Sequence, residues 1–345
     1  MNGLEPAARK QKILSAIVER YIQSGEPVGS KSLLTDAGLK VSSATVRNDM
    51  AELTEKGYIA QPHTSAGRVP TERGYRYYVD NVMRLTPVSE RGRATIRDTL
   101  SAGADSPESI LQCAAELLTR LTGGVALTTT PDGDGARVRR ISFVSTGAHG
   151  GMAVVIASNG AITTRLFRCE FLLTPEILHV FDKALNDTFA GVLLSSVNRP
   201  FVQTAAAGFG ELSLFMTSPL MAVMEACAQA AQVNVCHSGY DRLLNAADGN
   251  PQTARRIWDF LQNGHDLAAM LGRAPQGVSV TIGGENSRTE LSRCSVITAR
   301  YAADDSLSGV LAVIDSMRTD YARTLSVLKC TAETVGELID GLIEL

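Results

Sequence analysis

Val41-Ser42-Ser43-Ala44-Thr45-Val46-Arg47-Asn48-Asp49-Met50-Ala51-Glu52-Leu53-Thr54-Glu55-Lys56-Gly57 runs directly into Tyr58-Ile59-Ala60-Gln61-Pro62-His63-Thr64-Ser65-Ala66-Gly67-Arg68-Val69-Pro70. These thirty residues decide the architecture of the N-terminal part of the chain. Ser42 is a good N-cap and Gly57 a good stop, so a helix is expected over residues 43–56. At about 100° per residue, Val46, Met50 and Leu53 form its buried stripe. Ala44, Asn48, Ala51 and Glu55 then point outward, with Thr45 and Arg47 flanking them. The N-terminal turns of a recognition helix enter the DNA major groove, where Arg pairs with guanine, Asn with adenine, and small Ala or Thr side chains meet the thymine methyl. Ser43, Ala44, Thr45, Arg47 and Asn48 are the candidates here. The same residues also suit an ordinary solvated helix, and Glu52 with Lys56 reads as an i, i+4 ion pair farther along. The segment after Gly57 separates the two readings. Residues 58–62 and 68–70 are short extended runs around a polar, Gly-containing tip, which is a hairpin after a third helix, or wing. The tip offers His63, Thr64, Ser65 and Arg68 to phosphate or the minor groove, with Gly67 adding no bulk.

Working outward, residues 9–24 carry Ile13, Leu14, Ile17, Val18, Tyr21 and Ile22 on one helical face, and Gly25 ends that run. Pro27-Val28-Gly29 turns the chain, Ser30 is placed to cap a short helix over 31–37, and Gly38 stops it. Three short helices with a tight turn between the second and third follow the helix-turn-helix plan. Beyond the wing, Thr71 opens a helix with Arg73 and Arg76 as flanking phosphate contacts. Its Tyr75, Tyr77 and Tyr78 are expected to pack the wing on the first helix rather than to stack on bases. Charge supports this division. Residues 1–85 hold 12 Lys/Arg against 9 Asp/Glu, and the remainder holds 21 against 27.

The 345 residues imply two to three domains, and 44% hydrophobic with 20% charged residues excludes a wholly disordered chain. The six cysteines are scattered without a C-x-x-C, which argues against a zinc knuckle or disulfide scaffold and fits a reducing, cytoplasmic setting. The most apolar long segment, 212–233, is broken by Ser213, Thr217, Ser218, Pro219 and Glu225. We place the DNA-binding domain at 1–84, a linker at 85–106 in a Thr-, Ser-, Gly- and Arg-rich stretch that mixes linker with a short helix, and an α+β body at 107–345. The body reads as a helix over 110–121, a turn-rich stretch at 128–135, strands over 139–146, 152–158 and 161–168, and helices over 174–189, 212–231 and 255–271. Strands over 278–282, 295–301 and 310–314 and a helix over 321–345 complete it. Strands, then helices, then strands again suggest a domain interrupted by an insertion, at roughly 170–235. No phosphate-binding loop, zinc-protease or nucleophile-elbow motif is present, so no catalytic residue, metal or cofactor is expected. Cys227, Cys236 and His237 match no standard metal spacing, and His149, His179 and His265 are isolated. Glu285 and Asn286 after Gly283-Gly284 could line a small-molecule pocket, but a turn at a strand end is the preferred reading.

Pro27-Val28-Gly29-Ser30-Lys31, the run 41–50, Gln61 to Thr71 and Gly74-Tyr75-Arg76-Tyr77-Tyr78-Val79-Asp80 together closely resemble the bacterial heat-inducible transcription repressor HrcA family. Ile282-Gly283-Gly284-Glu285-Asn286, residues 294–299, Tyr301 and Met317-Arg318-Thr319-Asp320-Tyr321 look like its later blocks. Asp315-Ser316 departs from the Gly-Pro usual there, which puts the role of that loop in question. The resemblance implies a GAF-like body with an inserted dimerising segment behind a winged helix-turn-helix. It also implies repression of chaperone operons through a double-stranded inverted-repeat operator named CIRCE, with the GroEL chaperonin and a second copy of the chain as partners. A metabolite sensor or an enzyme fused to a DNA-binding domain is the alternative.

Overall fold

The first helix, α1 (Pro6–Ser24), presents Ile13, Leu14, Ile17 and Val18 to a small core, all essentially solvent-free. Around it pack α2 (Ser30–Asp36), α3 (Ser43–Glu55), two-residue strands β1 (Ile59–Ala60) and β2 (Val69–Pro70), and α4 (Glu72–Asn81). The computed structural model describes residues 6–36, 41–63, 66–132, 135–303 and 307–343. The expected stop at Gly38 and the wing-tip residues Thr64 and Ser65 therefore lie outside the described residues. β1 and β2 pair antiparallel, Ile59 against Pro70, and Val28 adds a third edge through two 2.9 Å backbone hydrogen bonds with Arg68. The wing is thus tied to the turn before α2.

Residues 83–89 have no regular structure. The short helix expected within the linker is α5 (Glu90–Ser101), whose Ile96 and Leu100 are buried against α6 (Pro107–Thr122) and α13 (Tyr321–Ile343).

The body is built on a five-stranded antiparallel sheet in the order β7-β3-β10-β9-β8. These strands are β3 (Val125–Thr129), β7 (Val235–Ser238), β8 (Val278–Ile282), β9 (Cys294–Ala302) and β10 (Ser308–Ser316). Alternation along β10 divides its two faces: Leu311 and Val313 join the cluster of α6 and α13, while Val310, Ala312 and Ile314 join that of α10 (Leu243–Ala246), α11 (Pro251–Leu261) and α12 (Gly264–Gly272). The single helix expected over 255–271 is two, α11 and α12, with Asn263 capping the second through the Asp266 N–H.

The chain leaves this sheet after Thr129 and returns at Val235. The interruption is therefore longer than 170–235, because the meander at 139–168 belongs to it. Three strands joined by tight turns look alike in sequence whichever sheet they enter. Here β4 (Val138–Ser145), β5 (Gly150–Ala157) and β6 (Ile162–Arg168) form their own sheet. α7 (Pro175–Phe189) closes the free edge of β4: Asn186 Oδ1 accepts the Ile141 N–H at 2.9 Å, its amide donates back to the Ile141 carbonyl at 2.7 Å, and Asp182 accepts the Phe143 N–H at 2.8 Å. With α8 (Arg199–Gly208), α9 (Ser213–Ala230) completes the unit and covers β5 and β6 on the same face as Phe143, Ala153, Val155 and Phe167. Among the described residues no helix packs on the opposite face. The strand register puts Val144, Met152 and Leu166 in one row and Arg140, Ile156 and Ile162 in another, with Leu166 73% and Ile162 66% exposed.

Candidate nucleic-acid interface

Ser42 caps α3, its hydroxyl accepting the Thr45 N–H at 3.1 Å. Val46, Met50 and Leu53 are buried, while Ala44, Arg47, Asn48, Ala51 and Glu55 face solvent and Thr45 is half-buried. All principal packing of α3 is with α1, α2 and β1, so the body does not cover its outward side. Arg47 Nε lies 3.4 Å from Ser30 Oγ, at one wall of a cleft of about 530 Å³ that Gly29, Ala66, Gly67 and Arg68 also line. One candidate is misplaced: the Ser43 hydroxyl is buried without a partner, so its side chain does not project into a groove.

The buried stripe also holds a residue that the sequence reading passed over. Asp49 is 3% exposed and takes both Arg9 Nε at 2.6 Å and Arg9 Nη2 at 3.1 Å. This fork-on-carboxylate pair fixes α3 on α1 with a defined roll. Glu52 bonds Lys10 of α1 rather than Lys56, adding a second clamp. An acid on the inward stripe was the available signal, but its partner lies forty positions away.

His63 is exposed at the described part of the wing. Gly67 serves a different purpose from the one expected. A Cβ there would sit 2.5 Å from the Val28 carbonyl and 2.8 Å from Pro27 C, so the missing side chain admits the α1–α2 turn rather than nucleic acid. Arg68 is half-buried, with Nε 3.2 Å from Thr54 Oγ1 of α3. Arg73 is exposed, with its guanidinium 4.8 Å from the centre of the Tyr58 ring. Tyr58 and Tyr77 pack at 5.2 Å, and Tyr77 Oη accepts from Gln11 of α1 at 2.8 Å, so these rings join wing to first helix. Burial, with Glu19 nearby, pushes the Tyr78 phenol up to about 12.

Arg76 does not stand as a phosphate contact. Its Nε donates to Glu285 Oε1 at 2.9 Å, Nη2 to Glu285 Oε2 and to the Val280 carbonyl at 2.7 Å, and Nη1 to Asp80 at 3.2 Å. Burial alone would raise the Glu285 carboxyl; hydrogen bonds from Arg76 and the Ile282 N–H outweigh it and hold the group below its ordinary range. Glu285 and Asn286 thus sit in a turn, not a pocket. The Asn286 amide donates to the carbonyls of Gly283, Leu291 and Cys294, and its oxygen accepts from Thr281 at 2.6 Å. Cys227 is buried on α9, where desolvation pushes its thiol up to about 12. Cys236 and His237 lie on β7, and His237 Nε2 is 2.6 Å from Tyr240 Oη. In the departing Asp315-Ser316 pair, Ser316 Oγ accepts the Arg318 N–H at 3.2 Å, so it shapes the turn that carries Arg318. No helix among the described residues is long and apolar enough to cross a membrane.

Three helices, a wing and an uncovered third helix, set on an α+β body, define a winged-helix DNA-binding protein. Residues 35–71 match the DeoR-like helix-turn-helix domain, and residues 108–325 match the HrcA protein C terminal domain. Proteins called heat-inducible transcription repressor HrcA are 34% identical over 337 residues in Laribacter hongkongensis, covering 96% of each chain, and 33% identical over 335 residues in Chromobacterium violaceum, covering 96% of this chain and 98% of that one. The chain belongs to the HrcA family of heat-inducible transcription repressors. A crystal structure of a hypothetical protein shares the fold, with a TM-score of 0.66 and 24% identity over 96% of this chain and 98% of that one.

Proposed function

We propose that the protein represses chaperone operons in the cytoplasm by binding, as a dimer, an inverted-repeat operator of the CIRCE type, and that heat relieves repression when unfolded proteins occupy the GroEL chaperonin. The observation that carries the DNA-reading part is the solvent face of α3, where Ala44, Arg47 and Asn48 stand clear of the body while Asp49 anchors the helix from behind. Asn48 has the amide to pair with adenine, Arg47 the fork for guanine, and Ala44 and Thr45 the bulk for a thymine methyl. His63, Thr64, Ser65, Arg68 and Arg73 supply the wing and phosphate contacts. Family membership supports the heat response and the chaperonin partner. The exposed apolar face of the β4-β5-β6 sheet supports dimerisation through the inserted segment.

Asn48→Ala or Arg47→Ala is expected to cost about 1–3 kcal/mol on operator and to relax preference at one base pair per half-site, with little loss on random duplex. Equal losses on both DNAs for Asn48→Ala would remove it from base reading. With Arg76 committed to Glu285, about three basic side chains per protomer remain for phosphate, so log affinity should fall against log salt with a slope of about −5 per dimer. A flat dependence rules out this surface. The decisive experiment is a gel shift of inverted-repeat operator against scrambled duplex, with and without chaperonin, across a temperature ramp. Selective binding that chaperonin sustains and heat abolishes is the expected result; no preference for the operator overturns the reading.

A further inference from the structure

The N-terminal unit is held on the body at two sites that flank a buried aromatic contact. On one side α4 meets the turn after β8, where Arg76 grips Glu285 and the Val280 carbonyl and Glu72 Oε2 accepts the Gly284 N–H at 3.1 Å. On the other, Arg318 lies 5.9 Å from the centre of the Tyr21 ring, its guanidinium filling the space a Cβ of Gly25 would need at the C-terminal end of α1. A cation suits that end of a helix dipole. Asp248 holds Arg318 there, accepting from Nε at 2.9 Å and Nη2 at 2.6 Å. Between the two sites Tyr75 packs on Tyr321 with ring centres 6.0 Å apart.

The covalent connection, residues 83–89, has no regular structure, and such a segment does not by itself fix the angle between two folded units. The side-chain contacts of α1 and α4 with the body must do so. They leave the outward side of α3 open, so the docked pose aims the reading face and does not shield it. We propose that Arg76, Glu285, Glu72 and Arg318 are positioning residues that fix the separation and angle of the two recognition helices, and thereby set the half-site spacing the dimer accepts. This rests on the protein reading its operator as a dimer. Without the latch each winged helix would search its half-site on a slack tether, gaining less from the second site at the matched spacing and losing less at a mismatched one.

The test uses the full chain and duplexes carrying identical half-sites at the native separation and at separations changed by half a helical turn, about 5 bp. For the unsubstituted protein, the half-turn change should weaken binding by about a hundredfold. Arg76→Glu and Glu285→Arg, each alone, should lose affinity at native spacing, keep single half-site affinity, and shrink the half-turn penalty to about threefold. Combining them re-forms the ion pair in reverse and should restore the spacing profile. The latch is overturned if either single variant keeps the full penalty, binds the native spacing more tightly, or loses half-site affinity that the double variant does not regain. Failure of the unsubstituted protein to distinguish inverted repeat from scrambled duplex would instead sink the operator reading itself.

Discussion

Leu166→Asp is expected to convert the proposed dimer to a monomer and to weaken operator binding by about 10²–10⁴, the advantage that tethering two half-sites confers. Leu166 is 73% exposed on β6, in the row with Val144 and Met152, and Ile162 on the same strand is 66% exposed. Large aliphatic side chains grouped on a sheet face that no helix among the described residues covers mark an interaction surface. The opposite face of the same sheet is covered by α7 and α9, so the isolated unit has its core on that side and the exposed Leu166 and Ile162 add little to it. In an isologous contact each substitution counts twice. Removing a buried Leu from both partners costs about 1.5–3 kcal/mol per copy, and placing a carboxylate there adds its own desolvation cost. Sedimentation should therefore show monomer at concentrations where the parent is dimeric, with thermal unfolding little changed because Leu166 touches mostly water in the single chain. A Leu166→Asp protein that sediments with the parent would place the dimer contact elsewhere.

The two halves of the molecule differ in how far they are legible. The winged helix can be read because its signals are local: the Ser42 cap, the Gly57 stop, the 3.6-residue stripe of Val46, Met50 and Leu53, and two extended runs about a polar tip. The body hides two of the five strands of its main sheet, β3 and the edge strand β7. Val125–Thr129 is buried at every position and so lacks alternation, and it borders a turn-rich segment. Val235–Ser238 is a four-residue edge containing Cys and His. That these two pair with each other across more than a hundred residues of insertion has no counterpart in local sequence. The same limit applies to the site. Arg73 and Arg76 are indistinguishable by type and spacing, yet Arg73 lies exposed over Tyr58 and Arg76 is spent on Glu285, 209 positions away. Gly67 reads as a position needing no side chain, but the demand comes from Val28 behind it.

Gly74→Ala, a change that propensity alone would favour, is expected to destabilise the N-terminal unit by about 3 kcal/mol and to abolish operator binding at temperatures the parent tolerates. Gly74 lies in the first turn of α4 with ordinary helical backbone, where Ala would gain up to about 1 kcal/mol in an isolated helix. Packing reverses the sign. A methyl at this position would overlap the carbonyl oxygen of Tyr58 and lie 3.1 Å from its carbonyl carbon. That carbonyl is held in place: it accepts the Thr71 N–H at 3.1 Å, and the one proton of the Thr71 hydroxyl lies between it at 3.1 Å and the Gly57 carbonyl at 2.6 Å, while the hydroxyl oxygen accepts the Gly74 N–H at 3.1 Å. The N-cap of α4, the end of α3 and the start of the wing are thus one hydrogen-bonded knot built around the bare Cα of Gly74. Adding a methyl forces α4 off β1 or breaks the Thr71 cap, and either movement carries Tyr58, Tyr75 and Tyr77 with it, the rings that seat the wing on α1 and α4 on the body. Denaturant unfolding followed together with operator gel shift tests the claim. A Gly74→Ala protein as stable as the parent would show that the close approach at Tyr58 can relax without cost.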